Sequence, residues 1–249
     1  MVLMLTWTAL PQLGFDLFPS VAADSLTTLD CKLPTPRDGT SAVYTGSKAY
    51  VFGGYGDYFL NSIIEYSPGG CTRSMSAVLP TIRRFTTAVW DPTDRPSSGC
   101  PGGCAYLFGG EQRGTSDNEV HDLVRYNPTL DQTTTIRTGL PTASESAAVW
   151  DSTDRPGAGC PGGCAYVFNI QDHSTNILQY NPSGNTWTIL STSLPDSASW
   201  AAAVWDPRDR PAAGCAKGCA YISWGPGVFI QKFNPSTSTA SRTTTRSEC

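Results

Sequence analysis

The sequence has 249 residues and a formal net charge of −4, and it is rich in Gly (24) and Pro (19). It contains no block of Lys and Arg, which argues against a nucleic-acid partner or binding to an anionic membrane surface. No apolar run of 18 residues follows residue 30, so no membrane span is expected in the body of the chain. Thr, Ser, Tyr, Trp and Val are abundant, a bias that favours strands and turns.

The first 24 residues are interpreted as an N-terminal extension or a degenerate export signal. Residues 1–5 are apolar, and Val-Ala-Ala at 21–23 resembles a small-residue cleavage site. A signal peptide also has a basic start and an unbroken apolar core. Here the first basic residue is Lys32, and prolines and an acidic residue interrupt the apolar stretch. Both interpretations therefore stay open.

One motif recurs along the rest of the chain. It reads Thr-Ala-Val-Trp-Asp-Pro-Thr-Asp-Arg-Pro at 87–96, with close copies at 147–156 and 202–211 and a short copy, Ser-Ala-Val-Tyr, at 41–44. Each long copy continues through Gly-Cys to Cys-Ala-Tyr. The aromatic residue of the motif falls at 44, 90, 150 and 205, so the units are about 46 to 60 residues long. A period of this size indicates a repeat architecture.

Each unit is predicted to contain four short strands between dense turn signals. The Ala-Val-Trp segment is the first strand, and an apolar run forms the second at 49–52, 105–108, 165–168 and 220–223. The predicted third strands are 62–66, 122–126, 176–180 and 228–233, and the predicted fourth strands are 72–78, 133–138, 186–190 and 241–246. One such sheet cannot bury both of its faces alone, so the all-β units are expected to stack as four blades of a β-propeller.

The predicted propeller domain covers residues 25–249, with units at about 37–82, 83–143, 144–197 and 198–249. Leu-Pro-Thr-Pro-Arg at 33–37 resembles Leu-Pro-Thr-Ile-Arg at 79–83, which ends a fourth strand. The last unit lacks such a Leu-Pro stop. We therefore predict that residues 25–36 supply a closing outer strand, with 25–32 paired to the C-terminal blade, because an unpaired edge invites aggregation. A tight ring, an open arc and a fragment of a larger ring all remain open.

These residues resemble the kelch repeat. An apolar strand ends in Gly-Gly at 53–54 and again at 109–110, and Tyr-Asn-Pro turns follow at 126–128 and 180–182, the latter with Trp187 after it. The resemblance implies a kelch-type β-propeller, a family that usually has six or seven blades. The Asp-Pro-Thr-Asp-Arg-Pro insert with its cysteines is similar to archaeal kelch-repeat proteins. Later units depart from the pattern, because Asn-Ile and Ser-Trp replace the double glycine there.

Six of the nine cysteines form three identical Cys-x₃-Cys pairs: Cys100 with Cys104, Cys160 with Cys164, and Cys215 with Cys219. This spacing lies in the range of zinc ligands, but a zinc site needs four ligands and the three pairs belong to different units. The chain has only two histidines, His121 and His173. Local structural disulfides are therefore favoured over zinc and over reduced thiols, and they imply an oxidising compartment.

Three cysteines remain: Cys31, Cys71 and Cys249. A disulfide between Cys31 and Cys249 would lock the predicted closing strand to the end of the chain and leave Cys71 free. We take this pairing as a hypothesis.

The paired aspartates of the repeated insert invite a calcium-binding or acid–base interpretation. The same pair, followed by Arg-Pro, appears in three units, at 91/94, 151/154 and 206/209. Repetition favours a structural turn in which Asp caps backbone amides and Arg pairs locally. No metal site and no cofactor are predicted.

A carbohydrate-active or galactose-oxidase-like propeller enzyme is the alternative that the kelch resemblance raises. Copper oxidases of that type use two His and two Tyr, whereas both histidines here lie in variable loops. Sialidase-like sites need an arginine cluster, and the spacing of the arginines marks none. No nucleophile elbow and no phosphate-binding glycine loop is present.

The residues that the units do not share are the better binding candidates, because variable loops on a rigid scaffold carry recognition. We therefore predict a non-catalytic binding module with a protein or glycan partner, extracellular or at the cell surface, although a cytoplasmic location and a fragment of a larger surface adhesin also stay open. The candidate contact residues are Tyr55, Tyr58, Phe59, Glu111, Arg113, His121, Asp172, His173 and Trp224.

Overall fold

A computed structural model describes residues 31–113, 118–170, 174–197, 200–224 and 229–243. These residues form four antiparallel sheets, each built from four strands that are consecutive in the chain. The all-β prediction is thereby confirmed, and so is the division into four four-stranded units. The predicted N-terminal extension, residues 1–24, and residues 25–30 of the predicted closing strand lie outside the described residues.

The strands of the first three units lie close to their predicted positions, whereas the last two strands of the fourth unit are shifted from theirs. The first sheet contains β1 (Ser41–Tyr44), β2 (Ala49–Phe52), β3 (Ser62–Tyr66) and β4 (Thr72–Val78), and the second contains β5 (Thr87–Asp91), β6 (Cys104–Phe108), β7 (Asp122–Asn127) and β8 (Gln132–Thr138). The third contains β9 (Ala147–Asp151), β10 (Cys164–Phe168), β11 (Ile177–Asn181) and β12 (Thr186–Ile189), and the fourth contains β13 (Ala202–Asp206), β14 (Cys219–Ser223), β15 (Gln231–Asn234) and β16 (Thr239–Arg242).

Three apolar layers hold the sheets together, one between each sheet and the next. Every layer sets the Val and Tyr of one unit against the aromatic residue of the third strand in the following unit. The ring centroids of these pairs are 5.5 Å apart for Tyr50–Tyr126, 5.3 Å for Tyr106–Tyr180 and 5.2 Å for Tyr166–Phe233. Tilted and edge-on aromatic pairs of this kind stabilise by about 1 kcal/mol beyond the area they bury. The repeated residues therefore form the core.

The sheets are packed in the order of the chain. β1 lies beside β5, β5 beside β9, and β9 beside β13, while within the described ranges no comparable contact joins β13 to β1. The fourth sheet also has its own outer strand, β16, so it does not need residues 25–32 to complete it. The structure thus shows a series of four sheets, and closure of a ring stays a prediction.

Residues 32–37 contact the first sheet in the same way that residues 78–83 contact the second sheet. The Thr72 hydroxyl donates to the Lys32 carbonyl at 2.5 Å, and the Thr133 hydroxyl donates to the Val78 carbonyl at 2.7 Å. Arg37 donates to the Gly53 carbonyl at 3.0 Å, and Arg83 to the Gly109 carbonyl at 3.1 Å. The sequence likeness of the two Leu-Pro segments therefore extends to their position in the fold.

The repeated Asp-Arg-Pro insert is a structural turn, as predicted. Asp91 accepts the backbone N–H of Thr93 and pairs with Arg95, and Asp94 accepts the backbone N–H of Gly102 at 2.9 Å. The third unit repeats each of these contacts, and the fourth repeats the ion pair, here between Asp206 and Arg210, and an aspartate cap on a backbone amide of the cysteine loop. In all three units a one-turn 3-10 helix begins at the Pro and is capped by the Gly that follows it, in the left-handed region. The carboxylates are therefore used by the turn itself.

Disulfides join the three short cysteine pairs, which confirms the prediction that they are local structural bridges. The first cysteine of each pair follows the 3-10 turn and the second begins the second strand of the unit. The Cα atoms within a pair are 5.3–5.4 Å apart. All six side chains are buried, and the bonds join Cys100 to Cys104, Cys160 to Cys164, and Cys215 to Cys219.

The predicted pairing of Cys31 with Cys249 was wrong. Cys31 is bonded to Cys71, and their Cα atoms lie 5.1 Å apart. The physical reason is that the Leu-Pro segment lies over the first sheet and brings Cys31 to the start of β4. Cys249 lies outside the described residues.

Candidate binding groove

The double glycine after β2 starts the loop that shapes the candidate site. Gly53 and Gly54 have φ of +57° and +104°, and a Cβ on Gly53 would lie 2.5 Å from the Arg83 carbonyl oxygen. A Cβ on Gly54 would lie 2.7 Å from the Asp38 carbonyl oxygen. Only glycine allows the neighbouring backbone to come so close at these positive φ angles. The chain is thereby turned out of the sheet into residues 55–61, which we call the aromatic loop.

The aromatic loop is held by its own backbone and ring contacts. Tyr55 forms antiparallel bridges with Asp38 and with Phe59, and the Gly56 N–H donates to the Tyr58 carbonyl at 3.1 Å. The Tyr55 and Phe59 rings meet edge to face at 5.2 Å. Tyr58, between them in the loop, is 64% exposed. The loop therefore presents one tyrosine ring to solvent on a constrained support.

Arg84 links this loop to the corresponding loop of the second sheet. Its guanidinium lies 4.5 Å from the Phe85 ring centroid, 5.4 Å from that of Phe59 and 5.7 Å from that of Tyr55. It also pairs with the Glu111 carboxylate at 3.1 Å, and the Ser144 hydroxyl donates to the same carboxylate at 3.0 Å. Cation–π contacts and the ion pair together fix the relative position of the two loops.

A groove surrounds the aromatic loop, made of two adjoining cavities of about 670 and 380 Å³. Tyr55, Phe59 and Arg113 line both cavities. Arg37, Asp57, Tyr58, Asn61 and Ile82 line the larger one, and Arg84, Glu111, Gln112 and Asn118 line the smaller. Both volumes lie in the range of ligand sites, about 300–1,000 Å³.

The groove carries charged side chains of both signs, and some of them already have partners in the fold. Arg37 donates to the Gly53 carbonyl and the Ser62 hydroxyl, each at 3.0 Å, and burial lowers its pKa. Arg84 is paired with Glu111. Arg113 is exposed, and no described residue forms an ion pair or hydrogen bond with its guanidinium. The groove can therefore hold a polar ligand against an aromatic side chain.

Comparison of the sequence with protein-family models and with curated proteins gave no match. The kelch resemblance therefore stays a prediction about family, supported by the repeated residues alone.

The structure brings five of the nine predicted contact residues together. Tyr55, Tyr58 and Phe59 come from the first unit, and Glu111 and Arg113 from the second. His121 lies apart from them, with its Nδ1 3.1 Å from the Leu140 carbonyl oxygen. Trp224 packs against the apolar layer between the third and fourth sheets. Asp172 and His173 lie outside the described residues.

The cysteines predicted as structural bridges take no part in the groove. The side chains of Cys100, Cys160 and Cys215 are only 1%, 1% and 2% exposed, and each lies next to the hydroxyl of the second-strand tyrosine of its own unit. None of them lines either cavity of the groove. Their role is therefore confined to the scaffold.

Several groove residues were not among the predicted contacts, and the charged ones are Arg37, Asp57 and Arg84. Arg37 belongs to the segment that was expected to close the ring, and its sequence was interpreted only through the likeness to Arg83. Arg83 itself is fully buried and pairs with Asp122, so it holds the fold. Arg84 had no repeated counterpart, and only its contacts with both loops reveal its place.

A large aromatic residue precedes the first strand of the second unit and of the fourth unit. Phe85 precedes β5 and Trp200 precedes β13, and their ring centroids lie 5.0 Å apart, edge to face.

Among the residues that the structure describes, no group of three His, Cys, Asp or Glu side chains could hold a metal ion. In the same residues, no helix is long and apolar enough to cross a bilayer.

Proposed function

We propose that this protein is a non-catalytic binding module of kelch-type β-propeller architecture, acting outside the cell or at its surface. The groove around the aromatic loop is its binding site, and a protein or glycan is its partner. The observation that carries the proposal is the convergence of the unrepeated residues Tyr55, Tyr58, Phe59 and Arg113 on one groove.

The division of labour between repeated and unrepeated residues supports this role. The repeated Val, Tyr, Asp and Arg are used in core layers and turns. Tyr55, Tyr58, Phe59 and Arg113 instead line the groove and have no counterparts in the other units, and backbone bridges and an ion pair hold the loops that carry them. Rigid scaffolds that position variable loops are a common design for recognition.

The disulfides support the location. Four cystines in one chain favour an oxidising compartment, since cytosolic thiols are kept reduced. An extracellular binding module would meet that condition.

The proposal is tested with two tyrosines of similar exposure. Tyr58 is 64% exposed in the groove, and Tyr44 is 59% exposed on β1, outside it. Purified wild type, Tyr58→Ala and Tyr44→Ala would be applied to a glycan array and to an array of extracellular proteins. We expect a ligand in at least one array whose binding falls at least tenfold in Tyr58→Ala and is unchanged in Tyr44→Ala. Equal binding by both variants, or no ligand in either array, would overturn the proposal.

A further inference from the structure

We infer that the ligand of this groove is an acidic oligosaccharide, with a sugar ring on Tyr58 and a carboxylate on Arg113. The inference rests on the binding role proposed above and assigns the chemical class of its ligand. Three properties of the groove, taken over the described residues, lead to it: a free aromatic face, a free cation, and a backbone already used in bridges.

Tyr58 is the aromatic residue available for stacking. The Tyr55 and Phe59 rings are occupied with each other and with the Arg84 guanidinium. The Tyr58 ring has no such partner among the described residues and is the most exposed aromatic side chain of the groove. A flat ring with a polar hydroxyl matches the apolar C–H face and polar rim of a pyranose. Because the loop is already constrained, little ordering entropy is lost on binding.

Arg113 is the cation available for a ligand anion. Arg37 is engaged by two carbonyls and a hydroxyl, and Arg84 by the Glu111 carboxylate, so each is already held by neighbours in the fold. Arg113 lines both cavities and is exposed. A guanidinium binds a carboxylate through two parallel hydrogen bonds, which adds geometric selectivity to charge attraction.

The remaining polar groups favour a sugar acid over an ester of phosphate. Asp57 lines the same cavity as Arg113 and forms no ion pair with a described residue. Its carboxylate can accept hydrogen bonds from neighbouring hydroxyl groups of a sugar. It would repel a ligand dense in phosphate charge, whereas a sugar acid places a single carboxylate on a ring that is otherwise neutral.

The backbone argues against an extended peptide. Peptides commonly add a strand to an open sheet edge. Here the loop backbone is already used in bridges of Tyr55 with Asp38 and Phe59, and of Glu111 with Arg84 and Glu119. Side chains are therefore the groups left to recognise a ligand, which suits a carbohydrate.

The experiment uses two ligands with the same sugar chain, one with charged carboxylates and one with neutral methyl esters: tetragalacturonate and its fully methyl-esterified form. Binding to the whole protein would be measured by isothermal titration calorimetry for wild type, Arg113→Gln, Tyr58→Ala and Arg208→Gln. Arg208 is an exposed arginine in the turn after β13, paired with Asp206 and outside the groove, and is the control. Circular dichroism would verify that each variant is folded.

We expect wild type and Arg208→Gln to bind tetragalacturonate at least tenfold more tightly than the ester. Arg113→Gln should remove that preference, while Tyr58→Ala should weaken both ligands alike. Equal affinity of wild type for acid and ester, or an unchanged preference in Arg113→Gln, would overturn the inference. A neutral glycan or a protein that binds the groove in a Tyr58-dependent way would overturn the acidic class and leave the proposed binding role standing.

Discussion

At the scale of single residues, the repeated valine of the first strand occupies two different environments. Val43, Val89 and Val149 are 7%, 4% and 4% exposed in the layers between sheets, whereas Val204 is 65% exposed on the fourth sheet. Identity and strand position are the same, so only the presence of a following sheet differs. This makes the pair of Val149 and Val204 an internal test of the packing.

We expect Val149→Ala to lower the free energy of unfolding by about 2 kcal/mol, because it leaves a cavity in a closed layer. Val204→Ala should change it by less than about 0.5 kcal/mol, as at an ordinary surface site. Urea denaturation followed by tryptophan fluorescence measures both values. A large loss in Val204→Ala would show that this face is covered in solution.

Glu65 is a buried carboxylate that pairs with two cations, Lys48 and Arg73, and accepts further hydrogen bonds from hydroxyl groups. Burial alone would raise the pKa of Glu65, but hydrogen bonds from Lys48, Tyr50 and Arg73 outweigh it and hold the pKa below its usual value of 4.5. A carboxyl with a lowered folded-state pKa stabilises the fold above its unfolded-state pKa and loses that contribution as the pH falls through the folded-state pKa.

The pH dependence of stability should therefore change in Glu65→Gln. Wild type is expected to lose stability below about pH 4.5. The variant should show a flatter profile in that window and be less stable by about 2 kcal/mol at about pH 7. Thermal unfolding monitored from about pH 2.5 to about pH 7 spans the window in which the carboxyl titrates. Parallel profiles would mean that other carboxylates set the acid sensitivity.

At the scale of elements, the disulfides divide into two kinds. The three Cys-x₃-Cys bridges span four positions each and pin the hairpin between the first two strands of a unit. The Cys31–Cys71 bridge spans 40 positions and ties the Leu-Pro segment to the first sheet. The longer loop restricts the unfolded chain more.

Removing the long bridge in Cys31→Ala/Cys71→Ala should cost about 4 kcal/mol by loop-closure entropy. Cys249→Ala is the control and should leave the stability unchanged, because neither partner of the long bridge is Cys249. Non-reducing peptide mapping would check the pairing directly. A peptide that joins Cys31 to Cys249 would contradict it.

At the scale of the whole molecule, the fourth sheet has a packed neighbour on one side only within the described ranges. Among the first strands of the four units, β9 lies between β5 and β13, whereas β13 packs against β9 alone. In repeat proteins stability is close to a sum of unit and interface terms, so a terminal unit is less stable than an internal one. Closure of the series into a ring would remove that difference.

Native-state hydrogen exchange can measure this difference. The amides of β13 should exchange faster than those of β9, because local opening of the terminal sheet breaks one layer and not two. The two strands share the same sequence, which makes them matched probes. Equal protection would indicate that the fourth sheet is covered, by ring closure or by a partner.

Local features of this protein could be predicted from the sequence. The strands of the first three units lie close to their expected places, because alternation, turn residues and the Leu-Pro stops are local signals. The Asp-Arg-Pro turns and the three short disulfides were also predictable, since their partners lie within eight positions of one another. In the fourth unit β15 and β16 are shifted from the predicted 228–233 and 241–246, because that unit lacks the Leu-Pro stop that marks the other three.

What joins distant parts of the chain was decided only by the tertiary structure. The partner of Cys31 depends on which sheet the Leu-Pro segment covers, and no local pattern states that. The groove forms because Arg84 lies between two loops that are far apart in sequence, and one repeated valine is exposed because no described sheet follows it. Such contacts depend on how whole sheets stack, so the sequence by itself determined the units, and their packing decided the site.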